Sequence, residues 1–123
     1  MNSMDKRAKT IFCDIDGTIV LHNPPNVNQS PVTKLNILEG TIDKLLEWDK
    51  LGYKIILTTG RKESLRKVTV SQLENAGIIY DLLIMGIGGG KRYLINDIKP
   101  DNNEKSAFAI NLNRNEGIQN INL

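Results

Sequence analysis

Apolar positions along the chain fall into short runs separated by glycine, proline and polar residues, and the runs alternate between two spacings. The first, Lys9–Asp14, is β-prone, meets acidic residues at its end and turns at Gly17-Thr18, which predicts a buried strand. From 17 to about 38 the chain reads His22-Asn23-Pro24-Pro25-Asn26 and then Asn28-Gln29-Ser30-Pro31, the composition of an irregular excursion or a short hairpin, not a helix. Helical spacing begins after Glu39-Gly40. Thr41 is the expected N-cap, Ile42, Leu45, Leu46 and Trp48 share one face, and Gly52 follows the end. Tyr53–Thr59 is a continuous apolar run, as expected for a strand covered on both faces in a parallel sheet. Lys62–Ala76 predicts a second helix with Leu65, Val68, Leu73 and Ala76 toward the core and Gly77 past its end.

The remainder is shorter-ranged. Tyr80–Met85 predicts a third strand, 86–90 a glycine-rich loop and Arg92–Asn96 a fourth strand. Ser106–Leu112 fits a strand or a short helix. A fifth strand beside the fourth is the preferred reading, because 97–106 leaves little room for a crossover helix. Residues 1–8 read as a polar lead-in and 113–123 as an Asn-rich tail. Strands alternating with helices imply an α/β layered fold with a mostly parallel sheet. The 123 residues suit one domain, 1–123.

Composition narrows the function classes. Net charge is +2 with basic residues scattered and aromatics at 5%, which disfavours a nucleic-acid surface. The single Cys13 excludes an internal disulfide framework and a multi-cysteine zinc site. No apolar run approaches ~20 residues and the N-terminus lacks a signal-peptide pattern, so no membrane span and a cytoplasmic location are expected.

In open α/β sheets ligands sit at the carboxyl ends of the strands. Those ends carry Asp14 and Asp16, then Thr59, then Lys91 in the glycine loop, then Asp97 and Asp101. Two carboxylates one residue apart raise each other's pKa unless a cation or a proton-sharing role compensates. The set therefore asks for a metal ion or for acid–base work. Each member also has a plainer reading. Asp14 or Asp16 could be a turn residue, Thr59 strand filling, Lys91 a solvated lysine with Arg92 competing for its role, and Asp101 a helix cap after Pro100. His22 reads as a surface loop residue, Trp48 as core or interface, and Gly88–Gly90 as a flexible loop or a phosphate cradle.

Taken in order, Asp14-x-Asp16-Gly17-Thr18, Thr59-Gly60-Arg61, Lys91 and Asp97-Ile98-Lys99-Pro100-Asp101 resemble the four motifs of the haloacid dehalogenase (HAD) superfamily of phosphohydrolases, over about Lys9–Asp101. The resemblance implies a three-layer Rossmann-like core and a Mg²⁺-dependent phosphatase. Asp14 would be the nucleophile forming an aspartyl-phosphate and Asp16 the general acid and base. Thr59, the Gly60 amide and Lys91 would hold the phosphoryl oxygens. Asp14, the Asp16 carbonyl, Asp97 and Asp101 would serve the metal.

Many HAD enzymes carry a cap domain after the first motif or between the second and third. Here those intervals hold only a loop, or one helix, one strand and the glycine loop, so the resemblance is to capless members. Within these, Gly90–Pro100, Thr59–Glu63 and Gln72-Leu73 resemble small phosphatases of capsule and surface-sugar biosynthesis, which implies a small phosphorylated metabolite as substrate. An open site suggests a homo-oligomer, dimer or tetramer, in which a neighbour covers it. Two competing classes are a nucleic-acid end phosphatase and a phospho-accepting receiver module. The second expects an acceptor Asp at the third strand's end, where Leu82–Gly86 has none.

Overall fold

The computed structural model describes residues 6–123. Three parallel strands, β1 (Thr10–Asp14), β2 (Lys54–Thr58) and β3 (Leu82–Ile84), form a sheet in the order β1-β2-β3. The register pairs Cys13 with Leu57, Asp14 with Thr58, and Thr58 with Ile84, so all three strands end on one rim. Parallel neighbours need long crossover connections. The first contains α1 (Pro25–Asn28) and α2 (Thr41–Lys50); the second contains a 3₁₀ turn at Glu63–Leu65 and α3 (Arg66–Ala76). The fold is α/β with a parallel sheet, as the alternation of patterns predicts.

β2 lies in the middle, and Ile55, Ile56 and Leu57 are all buried, as its unbroken apolar run requires. The outer strands are covered on one face only. Ile11, Cys13, Ile55, Leu57 and Leu83 share the face that joins the core with Leu45, Trp48 and Leu73. On the other face Phe12, Leu82 and Ile84 remain 54%, 48% and 42% exposed around Ile56.

Several expectations need correction. The 17–38 stretch does contain a helix, the single turn α1, with Pro25 at its first position, where a missing N–H costs nothing. The stretch returns by a bridge between Val20 and Ile37. Thr41 is not the N-cap of α2. Gly40 takes that place at φ 80°, and the Thr41 hydroxyl donates instead to the Ile19 carbonyl at 3.0 Å. Leu46 faces out. α3 buries Thr69, Gln72 and Leu73 and packs Ala76 against the core as expected, so two polar residues share the inward face, while Val68 is not part of the core cluster.

Neither 92–96 nor 106–112 forms a strand. The physical reason is connection length. Only 85–91 separates β3 from the proposed fourth strand, too little for a parallel crossover. Residues 91–98 lie exposed, and a bridge between Ile98 and Lys105 is the local structure that forms there. The supposed tail is built into the fold. Ile118 is fully buried, Gly117 packs on Leu38, and Lys44 donates to the Ile121 carbonyl at 2.9 Å.

Candidate functional site

The rim of the sheet places the first two motifs side by side. Asp14 ends β1, and its register partner Thr58 is followed by Thr59-Gly60-Arg61, which leaves β2. Thr59 is fully buried. Its amide donates to the Ile84 carbonyl at 3.0 Å, and its hydroxyl oxygen accepts the Arg61 amide at 3.1 Å. That hydroxyl keeps its own proton to donate. Gly60 has little room: an added Cβ would lie 3.0 Å from the Ile87 carbonyl oxygen, so the loop after β3 approaches the second motif closely. The Gly86 amide donates to Arg61 and the Ile87 amide to Thr59, fastening the two loops together.

After β1 the chain turns tightly. The amides of Thr18 and Ile19 donate to the Ile15 carbonyl, that of Gly17 donates to Val20, and Gly17 sits at φ 88°, a conformation glycine tolerates. The turn brings the Thr18 hydroxyl to 3.5 Å from an Asp14 carboxylate oxygen. Partial burial of the Asp14 carboxyl raises its pKa above the usual 3.8, and neighbouring Asp16 adds to this. The Ile15 amide, the charge of Arg92 and the Thr18 hydroxyl act in the opposite direction.

Asp16 has a different environment. Arg61 grips both of its carboxylate oxygens, Nε to Oδ2 at 3.0 Å and Nη2 to Oδ1 at 2.9 Å, and the Asn28 amide adds a bond to Oδ1 at 3.0 Å. The guanidinium is itself buried. Its Nη1 donates to the Thr69 hydroxyl and, at 2.6 Å, to the Gln72 side-chain oxygen. The Gln72 amide nitrogen in turn reaches the carbonyls of Asn28, Ser30 and Thr33 at 2.8, 3.1 and 3.2 Å. Buried polar groups must find partners, and here every described one does. This network explains the polar face of α3. It also gives the 28–33 loop a fixed seat beside Asp16.

The remaining predicted residues lie in the exposed stretch after β3. Lys91, Asp97 and Asp101 are all exposed, and Arg92 is the cation from that stretch whose charge Asp14 feels. Among the described residues no three acidic, histidine or cysteine side chains come together as a metal-holding group. The expected cluster of Asp14, Asp16, Asp97 and Asp101 is therefore not assembled. The Asp16 carboxylate is held by Arg61, which says nothing against its expected donor, the backbone carbonyl, and Asp97 lies in the exposed stretch that forms no fourth strand. Mg²⁺ commonly takes one or two carboxylates, several waters and substrate phosphate oxygens. Asp14 fits that shared arrangement; an all-protein cage does not fit.

Asn28, Thr69 and the C-terminal turn at 113–118 were not singled out from sequence. Arg61 and Gln72 entered only through resemblance. Their signal was weak, because isolated Asn, Thr and Gln in loops or on helices ordinarily face solvent.

No family model matches the chain, and no curated protein matches it. Solved structures do. A chain of the Pnkp1/Rnl/Hen1 complex is 30% identical over 70% of this chain, with a TM-score of 0.55. A chain of the Pnkp1/Rnl/Hen1 RNA repair complex is 28% identical over 83% of this chain, also at 0.55. This chain spans 30% and 31% of the length of those two chains. An MCSG target from Vibrio cholerae is 20% identical over 74% of this chain and 81% of its own, with a TM-score of 0.51, a likeness of fold.

Proposed function

We propose that this chain is a phosphatase of the HAD type that hydrolyses a phosphate monoester through an aspartyl-phosphate. The observation that carries the reading is the strand-end placement of Asp14. Asp14 is the register partner of Thr58, the residue before the Thr59-Gly60 turn, and a second carboxylate two residues on is fixed by Arg61.

In this reading an Asp14 oxygen attacks phosphorus as the bond to the leaving oxygen breaks. Asp16 would give that oxygen a proton and then take one from the water that cleaves the aspartyl-phosphate, which requires its carboxylate first to leave the Arg61 guanidinium that holds both oxygens here and to take up a proton. Thr59 and the Gly60 amide supply hydrogen bonds to the phosphoryl oxygens, and Arg92 or Lys91 supplies positive charge. Mg²⁺, shared between Asp14 and the phosphate, would screen the repulsion between two anions. Asp97 and Asp101 would act on that ion only if the exposed 91–101 stretch moves toward the rim.

A small phosphorylated sugar is the first substrate class proposed. The similarity to chains of an RNA repair complex favours a second, a phosphate at a nucleic-acid end. Self-association is proposed as well, because Phe12, Leu82 and Ile84 leave an apolar sheet face open. Turnover of aryl phosphate, sugar phosphates and 3′-phosphorylated oligonucleotides, with Mg²⁺ and with chelator, tests the proposal. Mg²⁺-stimulated release of phosphate that Asp14→Asn abolishes is the expected result. Absence of release from every ester overturns it.

A further inference from the structure

The C-terminal turn sits on the first motif. The Asn115 amide donates to the Gly17 carbonyl at 2.8 Å, and the Asn115 side-chain oxygen accepts the His22 amide at 2.8 Å. One residue thus ties the turn to both ends of the segment that follows Asp16. Asn115 holds φ 65°, a conformation Asn tolerates better than most residues. The turn is closed locally as well. The Glu116 amide donates to the Asn113 carbonyl at 3.0 Å, and the Asn113 amide reaches the Glu116 carboxylate at 3.3 Å. Beyond it, buried Ile118 anchors the chain in the core.

This clamp lays Arg114 over Gly17. A Cβ added at Gly17 would stand 3.3 Å from the Arg114 Cγ and 3.5 Å from the His22 Cβ. Arg114 is exposed and His22 half-buried. Neither side chain has a hydrogen-bonding or ion-pair partner among the described residues. The nearby carboxylates are otherwise engaged, Glu116 within its own turn and Asp16 by Arg61. Two side chains whose polar ends have no partner among the described residues thus flank Gly17, the residue that follows the proposed acid–base Asp16.

We propose that Arg114 and His22 form a leaving-group subsite that selects phosphate monoesters whose alcohol portion carries a second negative charge. The inference rests on the phosphatase reading above and deepens it. Guanidinium suits this task because it stays charged and offers a planar fork to carboxylate or phosphate oxygens. The second charge has two sources, the carboxylate of a phosphorylated sugar acid or the phosphodiester next to a terminal phosphate on an oligonucleotide. Both present the same anionic oxygens to Arg114.

The test compares the natural chain with Arg114→Ala and Arg114→Lys on three esters: an aryl phosphate with an uncharged leaving group, a phosphorylated sugar acid, and a 3′-phosphorylated oligonucleotide. Arg114→Ala is expected to raise KM for at least one doubly anionic ester by about tenfold, the worth of one charge-assisted bond. The aryl phosphate should be unaffected, and kcat should change little. Arg114→Lys should restore part of the loss, and the effect should shrink at high salt because the interaction is exposed. Which charged ester responds identifies the source of the second anion. Unchanged KM ratios, with aryl phosphate turnover intact, overturn this inference alone. A natural chain that turns over none of the esters overturns the phosphatase reading and this inference with it.

Discussion

Two sides of the rim meet at the first motif, and they are built in opposite ways. On the α3 side, Asp16, Arg61, Gln72, Thr69 and Asn28 form a buried network in which each polar group has a partner. On the side of the stretch after β3, Asp14 feels the charge of Arg92, which lies in an exposed segment with no regular structure from 88 to 97. One side is preorganised and the other is open. In the phosphatase reading this divides the labour. The carboxylate held by Arg61 must be released before it can move a proton, while the group that meets the phosphate is already accessible.

The largest effect that would break this comparison is at Asp14. Replacing it with Asn should leave the fold intact, because its carboxylate bonds only the Ile15 amide and, at 3.5 Å, the Thr18 hydroxyl, both of which an Asn side-chain oxygen can also accept. Turnover should fall by about 10⁴-fold or more, as for loss of an acting nucleophile. Steady-state kinetics with circular dichroism would check both halves. Substantial residual turnover would remove Asp14 from the role.

Arg61 tests the closed side. Arg61→Met removes a buried cation and strands Asp16, Thr69 and Gln72 together. Breaking a buried pair by deleting one member costs about 3 kcal/mol or more. Urea unfolding should show a lower midpoint at unchanged slope. A variant as stable as the natural chain would mean that the network is ornamental to the fold. Gln72→Leu should cost less, about 1–3 kcal/mol, since it leaves the Asp16–Arg61 pair in place but orphans carbonyls of the 28–33 loop. Hydrogen exchange should then quicken in that loop before it quickens in β2.

How far the sequence foretold the two sides follows from the same physics. β2 was legible because a central parallel strand needs apolar residues on both faces, and Ile55-Ile56-Leu57 supplies them. Asp14, Asp16 and Thr59 were legible as strand-end residues. The inward face of α3 was not, because Thr69 and Gln72 are buried by an arginine arriving from β2, a tertiary demand that period alone does not encode. The 92–96 stretch misled in the other direction. Tyr93-Leu94-Ile95 is β-prone, yet no crossover leads into it, and the residues stay exposed. The C-terminal turn escaped notice because its structure comes from Asn and Gly backbone conformations and one buried Ile118, none of which shows periodicity.

The smallest expected effect concerns the open side and its pH dependence. The Asp14 carboxyl titrates above its ordinary 3.8, chiefly because partial burial disfavours the charged form. In the pH range just above 3.8 the folded chain therefore binds more protons at this position than the unfolded chain does. Stability must fall as pH rises through that range, the reverse of the behaviour of a salt-bridged carboxylate. Asp14→Asn removes the titration. Below the ordinary value the two chains should unfold at similar temperatures, since a protonated Asp resembles Asn in charge. At neutral pH the variant should melt higher, by a modest margin because the residue is only partly buried and water still screens its charge. Melting curves at several pH values in chelator-containing buffer would read this directly. Adding Mg²⁺ should then narrow the gap by stabilising the natural chain alone, because only a carboxylate at Asp14 attracts the ion. A gap constant across pH would show that burial does not strain the Asp14 charge. The contrast between a tightly paired Asp16 and a loosely held Asp14 would then be one of geometry without energy.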